Sequence, residues 1–353
     1  MKEVIHLEDI VPNLKNTYIK LEPSFLKKLL KDASKSEKPH RNKKFIEKID
    51  CKINKKAKFA TIITGWMQGS SMPIPKLKKI VQLSKYTWRR IEGNILHLNA
   101  GGKSGKVYLN FPIKVDQELG SIVGHILGDG SIDKGLHAVF FSNSNVVLLK
   151  EFRVCMKNVF GIEPRIWVQE KKKFEDKTKW LKRIYNINDA PKGNGIGLFY
   201  PKICSDVLYA MFGKFAEGWN KRITKDIMNA NLNFKKGLVR GFFDDDGSIT
   251  VSSYTVNFAQ DDKELLEDVK LLIGEFNIKT NKVRFAIRRG KRRHEFGITG
   301  FREYHMFYYK IGCSSPHKKE KFELLINKVG NSKFFRNKYK EYRESICFEK
   351  RQL

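Results

Sequence analysis

The apolar positions of this 353-residue chain follow a pattern that is written twice. Gly120-Ser-Ile-Val-Gly124-His-Ile-Leu-Gly-Asp129-Gly130-Ser131-Ile132 returns 117 positions later as Gly237-Leu-Val-Arg-Gly241-Phe-Phe-Asp-Asp-Asp246-Gly247-Ser248-Ile249, with six positions identical and no gap. Each copy predicts an apolar helix that ends at Asp-Gly and runs into a strand. The flanking pattern repeats as well. Strand-like runs at 138–143 and 255–260 come next, helical stretches at 146–160 and 263–276 follow, and short helices at 205–212 and 303–311 close each copy. The first hundred residues show only helical periodicity, at 43–51, 57–67, 75–83 and 87–95, with an earlier helix over 25–31 that Ser24 can cap.

Glycine inside a helix costs roughly 1 kcal/mol relative to alanine, so its placement calls for a reason. Gly120 and Gly124, with Gly237 and Gly241 in the same register, put two small residues on one face of each helix. That spacing lets two backbones approach closely. If the two helices pack side by side, their C-terminal ends bring Asp129 and Asp246 together. Two carboxylates beside two negative helix ends repel, and each raises the other's pKa unless a positive charge lies between them. Carboxylate oxygens are what Mg2+ prefers, so a divalent cation is the natural answer.

The duplicated phrase resembles the LAGLIDADG motif of homing endonucleases, in the form that carries two motifs on one chain. The resemblance implies an α+β fold: a pseudo-twofold core of two αββαββα repeats, at 116–233 and 234–353, working as a monomer. It implies metal-dependent hydrolysis of double-stranded DNA at a specific site, with Asp129 and Asp246 holding Mg2+. Lys202 and Arg302 occupy the place from which such proteins stabilise charge at the scissile phosphate. Asn143 and Gln260 match the strand position that sets a polar group near the attacking water. One departure is Asp244, whose counterpart is Leu127, so no metal role falls to it. The basic, aromatic-interleaved runs 165–185 and 282–296 resemble the hairpins that lie along the major groove, with Gln169, Lys171, Arg284, Arg288 and Arg292 as groove-facing candidates. Two alternatives share the motif: an intron maturase with RNA as partner, and a DNA-binding transcription regulator that does not cleave.

Residues 1–97 read as an all-helical module. The segment 59–80 resembles half of a helix-turn-helix, with a recognition helix from about Lys55 to Met67. Residues 98–115 read as a linker, and the loop 101–106 lacks the spacing of a phosphate-binding loop. The chain begins with Met rather than Cys or Ser and ends in Arg-Gln-Leu rather than His-Asn, so a free-standing protein is expected rather than a splicing element.

Composition narrows the partners. Lys and Arg outnumber Asp and Glu 69 to 38, a net charge of +31, which is the footprint of a polyanion-binding protein. No apolar run is long enough for a bilayer span and the N-terminus does not read as a signal peptide, so no membrane partner and an intracellular location, cytoplasmic or nucleoid-associated, are expected. Five cysteines without a Cys-x-x-Cys pair argue against a disulfide framework or a zinc site.

Overall fold

A computed structural model describes residues 2–49, 56–101, 105–134, 138–169, 180–190, 195–218, 220–288 and 290–330. The N-terminal part comprises β1 (Val4–Ile5), α1 (Leu7–Ile10), β2 (Tyr18–Leu21), α2 (Pro23–Ser34), α3 (Lys43–Lys48), α4 (Lys56–Met67), β3 (Met72–Pro73), α5 (Ile74–Leu83), α6 (Trp88–Glu92), β4 (Ile95–Asn99), β5 (Lys106–Val107) and β6 (Ile113–Lys114). The first repeat follows as α7 (Gln117–Leu127), β7 (Gly130–Ile132), β8 (Val139–Asn143), α8 (Val146–Phe160), β9 (Arg165–Gln169), β10 (Trp180–Ile184), β11 (Ile196–Tyr200) and α9 (Lys202–Phe212). A small hairpin, β12 (Ala216–Glu217) and β13 (Asn220–Lys221), and α10 (Lys225–Met228) lead to the second repeat. That repeat consists of α11 (Leu232–Asp246), β14 (Gly247–Thr250), β15 (Thr255–Gln260), α12 (Lys263–Gly274), β16 (Arg284–Arg288), β17 (Lys291–Thr299) and α13 (Phe301–Lys310), and α14 (Pro316–Gly330) closes the described chain.

The fold is α+β with a duplicated core. The second sheet has the order β14-β15-β17-β16, and the first, read from its other edge, runs β7-β8-β11-β9 with β10 added outside β9. Every described strand pair is antiparallel, and the two registers correspond: Phe141 pairs with Leu198 as Phe258 pairs with Phe296. Helices cover one face of each sheet. In the first repeat Phe152 of α8 packs 4.6 Å from Phe141 and 5.8 Å from Tyr200. In the second, Phe258 stacks 4.8 Å from Phe296 and lies 5.1 Å from Phe243. Each such buried ring contributes about 1.5–3 kcal/mol by leaving water, alongside the buried aliphatic side chains such as Ile126, Leu149 and Leu198.

The two long helices of the repeats, α7 and α11, pack directly on one another. Asp116 caps α7 by accepting from the backbone N–H groups of Glu118 and Leu119 at 3.1 Å. Asn231 caps α11 through Phe234 N–H at 2.9 Å, and its amide donates to Val115 O at 2.6 Å, which ties the two helix starts together. A Cβ placed on Gly120 would stand 1.9 Å from Phe234 O, and on Gly124, 2.2 Å from Leu238 O. The reciprocal contacts are Gly237 against Gln117 O at 2.0 Å and Gly241 against Ser121 O at 2.9 Å. No side chain fits there, so glycine alone lets these backbones meet.

The N-terminal part differs from an all-helical module. Its helices pack on a four-stranded sheet, β3-β2-β4-β5, and β1 pairs with β6 immediately before α7. Residues 98–115, expected as a linker, carry β5, β6 and the end of β4. The reason is a short period-two pattern: Leu98, Val107, Leu109, Ile113 and Val115 are all buried. Tyr108 N–H donates to Phe160 O at 2.9 Å and Asn13 Nδ2 to Ala210 O at 3.3 Å, so this part is seated on the first repeat. Helix α4, expected to recognise DNA, turns Ile63 and Trp66 into the core; Lys55 lies outside the described residues.

Gly124→Val should lower stability by on the order of 3 kcal/mol or more, because the new side chain meets backbone. Gly274→Ala in α12, where a Cβ meets nothing within 4 Å, should hold or raise stability by about 0.5–1 kcal/mol. Thermal and urea unfolding of both variants checks the pair, and equal behaviour would contradict the close-packing account.

Candidate metal and nucleic-acid centre

Because α7 and α11 run side by side, their C-terminal ends deliver carboxylates to one place. Asp129 follows Gly128 at the end of α7, and Asp246 is the last residue of α11. Each is held by an amide from the neighbouring strand: Asn143 Nδ2 donates to Asp129 Oδ2 at 3.0 Å, and Gln260 Nε2 to Asp246 Oδ2 at 2.7 Å. Asn143 and Gln260 end β8 and β15 at corresponding positions, so the duplication extends to these orienting groups.

A third carboxylate breaks the symmetry. Asp245 fills the place that Gly128 holds in the first motif, and a Cβ on Gly128 would stand 2.6 Å from the Asp245 side chain. His125 Nδ1 donates to Asp245 Oδ2 at 3.0 Å, and both side chains are wholly buried. The same oxygen accepts from Asp129 N–H at 3.3 Å, and Oδ1 accepts from Asn143 Nδ2 at 3.4 Å. A residue of the second repeat thus braces the first repeat's acid, and Gly128, its counterpart, has no side chain with which to do the reverse. Burial opposes a charged imidazole at His125, but the Asp245 carboxylate outweighs it and holds the pKa above the ordinary value. Asp244 acts elsewhere. It accepts from Ser314 and Ser315 N–H at 2.7 and 3.1 Å, which pins the segment before α14.

Crowding sets the electrostatics. Loss of water, with Asp245 nearby, pushes the Asp129 carboxyl up to about 6. The same cause, reinforced by Asp129 and Asp245, pushes Asp246 up to about 7. Two lysines partly offset this charge. Lys221 of β13 donates to Gly128 O, and Lys318 of α14 donates to Phe243 O at 2.6 Å and Asp244 O at 2.7 Å. Both lysine pKa values are lowered by burial, against the upward pull of the aspartates. The ammonium groups cap the C-terminal ends of α7 and α11, where cations are favoured.

Lys221 and Lys318 are not evident from sequence, and the two expected cations pair with acids of their own helices. Lys202 begins α9, pairs with Asp206, and lines a cleft with Asn13, Lys15 and Thr17. Arg302, in the first turn of α13, pairs with Glu303 at 2.8 Å beside Lys279 and Asn281. Each belongs to a helix start rather than to the strand before it, which turns it toward its own helix's acid. The one signal pointing to the two lysines is positional. Lys221 and Lys318 follow the ends of α9 and α13 by nine and eight residues, one in each repeat.

The donor set suits a hard divalent cation. Asp129 and Asp246 offer oxygen ligands whose charge the surrounding cations leave partly unmet, as the raised pKa values show. Among the described residues no group of three His, Cys, Asp or Glu side chains forms a closed metal cage. Two carboxylates with water and phosphate oxygens completing the shell is the arrangement Mg2+ accepts.

The groove candidates divide between faces. Arg284, in register with Glu295, donates to it at 3.0 Å on the sheet face turned from the helices. Arg288 ends β16 in register with Lys291, an even number of positions from Arg284. Arg292 is in register with Ile287 and alternates onto the helix side with Phe296, so it does not share a groove with Arg284. Gln169 ends β9 opposite Trp180, and Lys171 lies outside the described residues.

Two duplicated helices fused through glycine, with paired acids at their ends, define a two-motif architecture. Residues 233–312 match the model of the LAGLIDADG-like domain. Among curated proteins it is similar to DNA-directed RNA polymerase subunit Rpo1C of Methanocaldococcus jannaschii, 25% identical over 225 residues, 63% of this chain and 22% of that protein. It is also similar to glutamine–fructose-6-phosphate aminotransferase of the same organism, 23% identical over 327 residues, covering 90% and 26%. Elongation factor 2 of Methanopyrus kandleri matches at 24% over 143 residues, covering 40% and 11%. The chain therefore spans about a quarter or less of these relatives. Solved structures similar to it include variants of the homing endonuclease I-DmoI, at 14% identity over 56% of this chain and 96% of that one with a TM-score of 0.36. Full-length WhiA from Thermatoga maritima matches at 14% identity, 67% and 68% coverage and a TM-score of 0.40. No described helix is long and apolar enough to cross a membrane.

The raised carboxyls give a signed pH dependence. Folded protein holds their protons up to about 6 and 7, whereas the ordinary carboxylate value is 3.8, so between these limits the folded state binds more protons. Stability from this source therefore falls as pH rises from about 4 to 7. In EDTA, Asp246→Asn should melt above the wild type at pH 8, with the difference shrinking toward pH 5. Mn2+ at pH 8 should raise the wild-type Tm more than the variant's, and apparent Mn2+ affinity by calorimetry should weaken as pH drops through 6.

Proposed function

We propose that this chain is a site-specific double-strand DNA endonuclease of the homing type, monomeric, intracellular and dependent on Mg2+. The observation that carries the reading is the pair Asp129 and Asp246, set at the joined ends of α7 and α11 and pushed up to about 6 and 7. Two mutually repelling acids at the centre of the fold are an arrangement that stability alone does not favour. The net charge of +31 supports a polyanion substrate. The matched relatives support mobility: an RNA polymerase subunit, an aminotransferase and an elongation factor share no chemistry by name, yet each has a similar segment of about a quarter of its length or less. A segment spread in that way travels independently of its hosts' activities.

Asp129 and Asp246 would hold the cation, one from each repeat, with Asn143 and Gln260 fixing the rotamers of the two carboxylates. A bound divalent cation supplies a lowered pKa for the attacking water and stabilisation of the leaving oxygen. Lys221 and Lys318, held at the ends of α7 and α11, would offset part of the charge that develops at a phosphate bound beside the two acids. His125 and Asp245 position Asp129 through its backbone N–H, without touching substrate.

Genomic duplex DNA incubated with the protein in Mg2+ or EDTA, followed by sequencing of new ends, tests the reading. Recurrent Mg2+-dependent ends within one long motif are expected. Retention of DNA without new ends would instead indicate a regulator, and preferential retention of structured intron RNA a maturase. Asp246→Asn should abolish the ends while leaving DNA retention largely intact. Lys221→Met should slow cutting by about a hundredfold, whereas Lys202→Met should change it little; the reverse order would return the cation role to Lys202.

A further inference from the structure

The strand registers allow the two sheets to be compared position by position on the face turned from the helices. Phe140 is paired with Phe199 in the first repeat, and the corresponding pair in the second is Asn257 with Gly297. Trp167 is paired with Gly197, and its counterpart is Arg284 with Glu295. The rings gather: Phe140 and Phe199 lie 4.5 Å apart, and Trp167 meets Phe199 edge-on at 6.4 Å. All three are half-buried rather than sealed in a core. Exposed cations flank them, with Arg165 in register with Phe199 and Arg183 with Trp167. The second repeat presents an amide and an ion pair at those places, with Arg284 Nη2 2.8 Å from Glu295 Oε1.

A polar face and an aromatic face cannot read the same base-pair edges. Hydrogen-bonding groups select purine and cytosine edges, whereas the apolar feature of the major groove is the thymine C5-methyl. We propose that the outer face of the first repeat, through Phe140, Trp167 and Phe199, selects a thymine-rich half-site by methyl contact, with Arg165 and Arg183 on the adjacent phosphates, while the second repeat reads its half by hydrogen bonds. This rests on the reading of the chain as a duplex-DNA protein and assigns it an unequal, two-part target.

The probe is a randomised duplex pool prepared once with thymidine and once with deoxyuridine, which keeps base pairing and removes the methyl. The full chain is bound to each pool in EDTA, and the retained sequences are compared. The expected result is a motif with one thymine-rich half that vanishes from the deoxyuridine pool, the other half being recovered from both. Replacing thymine by uracil in that half of the best sequence should weaken binding about fourfold per methyl. Phe140→Asn with Trp167→Arg, the residues of the second repeat at those positions, should erase the difference between pools while retention persists. Phe140→Asn alone serves if the double variant melts early. The same motif from both pools, or losses spread evenly over both halves, overturns the proposal; so does stronger retention of single strands, which would assign the rings to stacking. Failure of the wild type to retain either pool removes the duplex-DNA reading itself.

Discussion

Contact between the backbones of α7 and α11 is the constraint on which the rest of this protein depends. Carbonyl oxygens of one helix sit where the Cβ atoms of the other would be, at four glycines placed two and two. Helices separated by ordinary side chains run about 8–10 Å apart; without Cβ atoms they close further, and everything attached to their ends closes with them. That is why acids from two repeats, 117 positions apart in sequence, share one electrostatic environment. The same closeness makes the centre unstable in its charged form. Burial raises the pKa values of Asp129 and Asp246, Asp245 adds to both and Asp129 to that of Asp246, and Lys221 reduces the strain without removing it.

Much of this was legible in the sequence because it was written twice. The repeated glycines and aspartates gave the helix pair and its acids, and the strand-ending Asn143 and Gln260 lay in register with them. The αββαββα order was implied by the resemblance, and the helical and strand periods that follow each motif agree with it. Positions legible only through a family pattern have neighbours that the pattern does not give. Lys202 and Arg302 stand in the expected stretch of chain, yet a shift of one or two residues from strand to helix start turns each toward Asp206 or Glu303. Lys221 lies on a two-residue strand of a hairpin with no periodicity of its own. Arg292 lies apart from Arg284 for another reason: a strand alternates every residue, so residues an odd number of register positions apart fall on opposite faces.

The N-terminal part shows where periodicity runs out. Its helices were visible, but its strands are two to five residues long and hidden among Gly, Lys and Pro. Strands that short carry too few inward residues to stand out from a loop. The sheet forms because α2 and α5 offer Leu26, Leu29, Leu30, Leu77 and Ile80 as a common core, all essentially buried. Tertiary packing decided what local pattern left open.

Duplication imposes symmetry only where both halves must meet. At the helix pair any change on one side has to suit the backbone of the other, so the glycines remain in register. Beyond it each repeat answers to its own surroundings. Among the described residues the first sheet gains β10, the second has four strands, and the outer faces differ in chemistry at matched positions. Even the centre is symmetric in its acids and amides but not in what braces them, since Asp245 reaches across and Gly128 cannot. On the proposed reading of the chain as a duplex-DNA endonuclease, a target with exact twofold symmetry would be poorly matched to it. Separate half-sites, each free to diverge, are what a single-chain duplicate can use and a symmetric dimer cannot.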